Sequence, residues 1–227
     1  MRKITLLLLL AVYAVQSYAQ GARVDIVSIK EAVADTLYYN GLKNRFKNSG
    51  LSNMHELLTL YYGQAFQDDY APYDTAWLNE ISALREEGKL MEALDKAAEI
   101  YEQRPAYLPA LHSLTSIGRD AQAEESVISS INKRIGSLLA AILYSGNGKS
   151  PQTAFIVTSV SDEYMLMQMY LELEYSNKSL LENNGKYYEV FTVTPNDNYS
   201  SDKIYFDITI PFREIPEILS KEKLHDN

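Results

Sequence analysis

From residue 24 to residue 144 apolar positions recur every three or four residues, the period of one buried helix face. Ile26, Ile29, Val33 and Leu37 form the first stripe. Asp25 stands where a side-chain oxygen can accept a free backbone N–H, and Tyr39-Asn40-Gly41 reads as the end of that helix. Ser52 opens a second helix, to Phe66, with Met54, Leu57, Leu58, Tyr61 and Tyr62 on its apolar face. The most regular pattern lies between residues 74 and 105. Trp77, Leu84, Gly88, Leu90, Ala93, Ala97 and Pro105 fall at the spacings of one tetratricopeptide-type helical hairpin. Gly88 permits the turn, the two alanines allow close approach, and Pro105 stops the second helix. Residues 106–118 and 121–144 predict a further hairpin in which the repeat pattern fades.

At Ser145 the period changes. Ser145-Gly-Asn-Gly-Lys-Ser-Pro151 is a turn-rich linker. Residues 154–160 read as a buried strand, and Ser161 as the cap of a short helix over 162–171 with Glu163 and Tyr164 in its first turn. Residues 173–181 and 187–194 flank Asn183-Asn184-Gly185, a hairpin turn that needs positive φ. Ile204, Phe206, Ile208 and Ile210 alternate with polar or boundary residues, as in a half-buried strand. Helices first and strands after predict an α+β fold: helical hairpins over residues 20–145, and a small antiparallel sheet with one helix over 146–227, packed on the helices.

Residues 1–19 read as a secretory signal peptide. Arg2 and Lys3 precede an apolar run from Ile4 to Val15, and Ser17-Tyr18-Ala19 offers small residues for cleavage. The apolar run falls short of the roughly 20 residues that span a bilayer, so no transmembrane anchor is expected after cleavage. The expected location is the periplasm or the exterior of a Gram-negative cell. Composition then narrows the chemistry. The 227 residues carry 21 Lys and Arg against 30 Asp and Glu, a net charge of −9, which argues against a nucleic-acid partner. There is no cysteine, which excludes disulfides and thiolate metal sites and leaves stability to packing. Tyrosine is abundant, at 18 residues.

Two sets of segments carry a family resemblance. One is Leu60-Tyr-Tyr-Gly-Gln-Ala-Phe-Gln-Asp-Asp-Tyr-Ala-Pro-Tyr73. The other is Gly146-Asn-Gly-Lys-Ser-Pro-Gln-Thr-Ala-Phe155, Ser161-Asp-Glu-Tyr164 and Ile204-Tyr-Phe-Asp-Ile208. Together they resemble the DUF4919 family, uncharacterised proteins mostly of Bacteroidetes, over roughly residues 24–212. The resemblance implies an exported Gram-negative protein and supplies no catalytic residues.

Enzyme motifs are sparse. Gly148-Lys149-Ser150 ends like a phosphate loop, but Leu143 occupies the position of its first glycine. His55, His112 and His225 show no zinc-protease spacing. Asn196-Asp197-Asn198-Tyr199-Ser200-Ser201-Asp202 begins like a calcium loop without its glycine or terminal glutamate, and reads as a polar turn. Asp68-Asp69 are adjacent acids, not a pair set apart across a sugar. No cofactor, metal or catalytic residue is assigned.

The reading is therefore an exported, non-catalytic interaction module for a protein or peptide partner. The candidate binding residues are Tyr62, Tyr70, Tyr73, Trp77, Asn79 and Glu80; tyrosine and tryptophan combine an apolar face with a polar tip. Trp77 also matches the core position of the repeat. The alternatives are a hydrolase acting on cell-envelope or glycan material, and a glycan-binding module built on exposed tyrosines.

Overall fold

A computed structural model describes residues 24–214. The expected signal peptide, His225 and the tail from residue 215 lie outside the described residues.

The first helix, α1 (Ile26–Val33), starts where the side chain of Asp25 accepts the N–H of Ser28 at 3.0 Å. It does not reach Gly41. Asp35 accepts the N–H groups of Leu37 and Tyr38 and begins a new helix, α2 (Thr36–Ser49), which runs straight through Asn40 and Gly41. The expected stripe breaks at the same point: Leu37 is 83% exposed, whereas Tyr39, Leu42 and Phe46 are buried. Burial of those three outweighs the poor helix propensity of one glycine. Two carbonyls at the end of α2, those of Phe46 and Lys47, accept from Arg134 at 3.0 and 2.7 Å. Asn53 rather than Ser52 caps α3 (Met54–Gly63), and a 3₁₀ turn, Gln64–Phe66, follows.

Two helical hairpins come next, as expected: α4 (Ala76–Glu86) with α5 (Leu90–Gln103), and α6 (Leu108–Asp120) with α7 (Glu125–Tyr144). Gly88 turns the first at φ +76°. Each helix packs on the next. Trp77, Ile81, Ala93, Ala97, Ile100, Tyr107 and Ile117 form a small core of their own. α7 is long and apolar enough to cross a membrane by length and composition; here its face of Ile128, Ile135, Leu138, Leu139 and Ile142 is buried in the fold.

The last part holds β1 (Phe155–Ile156), α8 (Val160–Met165) with a π-turn at Leu166–Tyr170, β2 (Tyr175–Asn183), β3 (Lys186–Val193), β4 (Lys203–Asp207) and α9 (Thr209–Phe212). The strand order is β1-β4-β3-β2. β2, β3 and β4 are antiparallel neighbours, but β1 runs parallel to β4, so the sheet is mixed rather than purely antiparallel. The strand expected over 154–160 is only two residues long. The backbone of Thr158 is engaged by side chains from the helical half, and Ser159, not Ser161, caps α8. Asn184 and Gly185 make the hairpin turn at φ 54° and 72°. β4 ends at Asp207, whose carboxylate accepts the N–H of Thr209 and turns the chain into α9.

Helices and sheet share the main core. Leu60, Tyr61 and Tyr62 of α3 and Leu138 and Ile142 of α7 belong to one buried cluster with Phe155, Phe191, Ile204 and Phe206. The packing among the first three helices can be tested at two glycines. A Cβ on Gly63 would stand 2.6 Å from Val33 Cγ1 and 2.8 Å from the Tyr39 ring, whereas one on Gly41 would meet nothing within 4 Å. Gly63→Ala is expected to lower unfolding free energy by about 1–3 kcal/mol through overpacking. Gly41→Ala is expected to raise it by about 0.5–1 kcal/mol through helix propensity. Denaturant titration of both variants measures this, and equal effects would contradict the packing described.

Candidate functional site

The two sets of segments that carry the family resemblance meet inside the molecule. Tyr61, on α3, donates its hydroxyl to Asp162 Oδ2 at 2.6 Å. Thr158 Oγ1 donates to the same oxygen at 3.2 Å. Gln64 Nε2 donates to Thr158 Oγ1 at 2.9 Å, and the Tyr70 hydroxyl to the Thr158 carbonyl at 2.6 Å. Tyr62 donates to the carbonyls of Ile156 and Ala141, and Ser159 Oγ to that of Pro72. Thr158 is thus the point where the helical half and the sheet half are joined by hydrogen bonds.

Two acids lie in the first turns of α8, both buried. Burial drives the Asp162 carboxyl up to about 6, and the hydrogen bonds from Tyr61 and Thr158 limit the rise. Its second oxygen, Oδ1, has no hydrogen-bond partner. Glu163 is pushed well above the ordinary carboxylate range, first by burial and then by the neighbouring Glu189; Lys178 opposes the shift. Neither Glu163 oxygen meets a donor from the rest of the protein. The group facing it, Glu189, is also an acceptor when ionised, so the pair is satisfied only by sharing a proton. Lys178 holds the charge of Glu189 at 2.7 Å.

Beside this junction opens a narrow cleft. Its walls include Tyr39, Tyr70, Pro72, Pro105 and Tyr107, and its floor includes Gln64 and Thr158. Its volume is ≈ 30 Å³, room for a water or the tip of a side chain rather than a ring. Lys43 stands 5.3 Å from the centre of the Tyr39 ring and is in no ion pair among the described residues. Arg104 lies 4.7 Å from the centre of the Tyr107 ring and 3.4 Å from Asp74. Asp69 is the one acid in the lining; Asp162 and Glu163 are not part of it.

The six candidate residues are not brought together. Tyr62 is fully buried and offers no surface. Trp77 is buried against Tyr107, ring centres 6.0 Å apart. Tyr70 lines the cleft with its hydroxyl turned inward. Burial, and after it the nearby carboxyls of Glu189 and Glu163, push the Tyr73 hydroxyl up to about 12. Asn79 and Glu80 are exposed on α4, and Glu80 pairs with Lys96 at 2.8 Å. In the loop that began like a calcium site, Asn196 Oδ1 accepts from the backbone of Asn198 and Tyr199, and its amide donates to Leu171 and Glu172. Asp162 and Glu163 escaped sequence reasoning because acids in a first helical turn are already explained by the helix dipole. Lys43 and Arg104 escaped because cations on helix surfaces are commonplace.

The buried acids set the sign of the pH dependence. A carboxyl whose folded pKa is raised stabilises the fold fully only below its unfolded pKa, and that contribution is lost as pH rises through the folded pKa. The ordinary values are 3.8 for Asp162 and 4.5 for Glu163. Stability should therefore start to fall near pH 4, fall through about 6 for Asp162, and fall further as Glu163 ionises. In Glu163→Gln the amide donates to Glu189 without a proton to lose. Thermal melts across the alkaline arm should be flatter in this variant than in the wild type; parallel curves would refute the shared proton. Tyr61→Phe removes a donor that favours ionised Asp162. It should cost about 1–3 kcal/mol at neutral pH and less at pH 4, measured by urea denaturation at both.

No curated protein and no solved structure matches the chain. The family model described as domain of unknown function (DUF4919) matches residues 27–216, nearly all of the described fold and both sets of segments that meet at Thr158, and the chain belongs to that family.

Proposed function

We propose that this protein is an exported, non-catalytic binding protein whose tetratricopeptide-like hairpins and sheet frame a site for a protein or peptide segment. The observation that carries the reading is the cleft between α2, residues 64–72, the α5–α6 connection and Thr158-Ser159. It has tyrosine walls, and Lys43 at its lip has no ion-pair partner among the described residues. An unpaired cation beside an apolar slot, on a chain of net charge −9, favours an anionic tip carried on an apolar body. The small volume selects the end of a side chain or a chain terminus. An extended acidic peptide fits that chemistry.

The hydrolase alternative needs two acids facing each other across a substrate. The lining offers only Asp69. A glycan platform needs exposed tyrosine faces, and Tyr62 and Tyr70 are engaged inside the protein.

The test is capture from the native envelope fraction, followed by titration of the captured peptide sequence. Lys43→Glu should weaken binding about tenfold, a change of about 1.4 kcal/mol. Lys96→Glu, which alters the same charge at a residue outside the cleft lining, should leave binding unchanged. Added salt should weaken the wild type. Equal binding by the two variants would remove the cleft from the account. Release of sugar or peptide fragments from envelope material would replace it with the hydrolase.

A further inference from the structure

The cleft and the buried acids are joined by one short helix. Thr158 and Ser159, at the head of α8, lie in the cleft lining. They are tied to the helical half by Gln64, Tyr70 and the carbonyl of Pro72. About one helical turn after Ser159 stands Glu163, which meets the sheet at Glu189 of β3. That contact has one cation for two acids. Lys178 of β2 pairs with Glu189 at 2.7 Å, and this pair reaches water, with side chains 37% and 13% exposed. Glu163 is fully buried, and neither of its oxygens meets a donor. The other titratable groups near it are Asp162 on its own helix and Tyr73 before α4, with Glu214 beyond Tyr73. Tyr61 of α3 and Tyr107 at the start of α6 face Asp162 instead.

With one proton, Glu163, Glu189 and Lys178 are neutral together. Without it they carry a net negative charge, and the added charge falls on the member that has neither donor nor water. The two sides of the contact are not equally free to respond. β3 is paired along both edges, with β2 and with β4. α8 is six residues long and gives way to the π-turn at Leu166–Tyr170. The helix is therefore the side that moves. Tyr164 keeps it against Phe191, ring centres 5.7 Å apart, so the movement is a shift and not a release. We infer that the cleft is proton-gated: the proton shared by Glu163 and Glu189 seats α8 against β3 and so holds Thr158 and Ser159 in the cleft floor, and its loss shifts α8 and loosens that floor. The consequence for a ligand rests on the binding reading above. By linkage, a segment that needs the intact floor binds more tightly at lower pH and helps the acid pair keep its proton.

Native-state hydrogen exchange, followed by NMR on the full chain with no ligand added, tests the shift itself. Exchange is expressed as protection relative to the unfolded chain at each pH, which removes the base catalysis of exchange. Between about pH 5 and about pH 8, protection of the amides of residues 158–165 should fall about tenfold more in the wild type than in Glu163→Gln or Glu189→Gln. In the first variant the new amide donates to Glu189. In the second it donates to Glu163, and Lys178 remains to balance the charge. Either variant suffices, so one that fails to fold leaves the other to decide. Asp162 titrates in all three proteins, and its effect cancels in the comparison. The amides of α4 and α5 should keep their protection, which separates a local shift from global unfolding. Wild-type protection at 158–165 that stays constant with pH, falls equally in both variants, or falls in step with α4 and α5 would overturn the proposal. A persistent exchange difference with no peptide captured would support the shift and remove only the binding reading.

Discussion

The fold depends on how one buried carboxylate is accommodated. Asp162 sits in the interior, where an ionised acid without partners is strongly disfavoured. Tyr61 reaches it from a helix 101 residues earlier in the chain, and Thr158 from one turn away. The same Thr158 takes Gln64 on its hydroxyl and Tyr70 on its carbonyl. These bonds fix the angle at which the sheet meets the helices, and they also end β1, because backbone groups a longer strand would offer a neighbour are already taken. In a chain without cysteine, this polar junction, enclosed by the shared apolar core, does the pinning that a disulfide does elsewhere. Partial pairing is also why it is pH-sensitive: Asp162 Oδ1 is left without a donor, and Glu163 has no partner but the carboxyl of Glu189.

Where local pattern and tertiary demand agreed, the sequence was readable. Gly88, Ala93 and Ala97 sit where the helical hairpin needs a turn and a close contact, and Asn184-Gly185 makes the turn its residue types require. Three of the errors share one cause. Tyr39-Asn40-Gly41 has the local signature of a helix end, but Tyr39 is needed in the core, where its hydroxyl donates to the Leu60 carbonyl at 3.0 Å, so the helix continues. Residues 154–160 have the composition of a strand, but groups from residues 61–72 engage the backbone and side chains of Thr158 and Ser159. Tyr62 looks like an amphipathic surface residue until Ile156 and Ala141 supply carbonyls for it. Each of these misses was decided by a partner 21 to 97 residues away, which no local window contains.

The tyrosine content acquires a physical meaning in this light. A phenol carries its single donor at the end of a long, rigid, apolar body, so it can cross a core and still satisfy a carbonyl or carboxylate on the far side. Tyr39, Tyr61, Tyr62, Tyr70 and Tyr199 all do so. Burial raises the pKa of each of these five, so each remains a donor across the neutral range. The residue type that suggested a binding platform is, at Tyr61, Tyr62 and Tyr70, the one that holds the halves together.

The cleft inherits its shape from that bonding. Tyr39 and Tyr70, which form two of its walls, are held by their own hydroxyls, and Gln64 and Thr158 on its floor belong to the network that reaches Asp162. Such walls are preorganised, so a ligand meeting them loses little free energy to ordering the site. The lip is different in kind: Lys43 rests on the Tyr39 ring without an ion pair, and Arg104 shares Asp74 at 3.4 Å, so both cations can be re-aimed without breaking the junction. For the ligand proposed above, a rigid apolar slot with adjustable charge at its mouth would divide recognition between shape below and electrostatics above. A ligand that engaged the floor would touch Thr158 directly, one hydrogen bond from Asp162, and would therefore also bear on the pH-sensitive contact between the two halves of the fold.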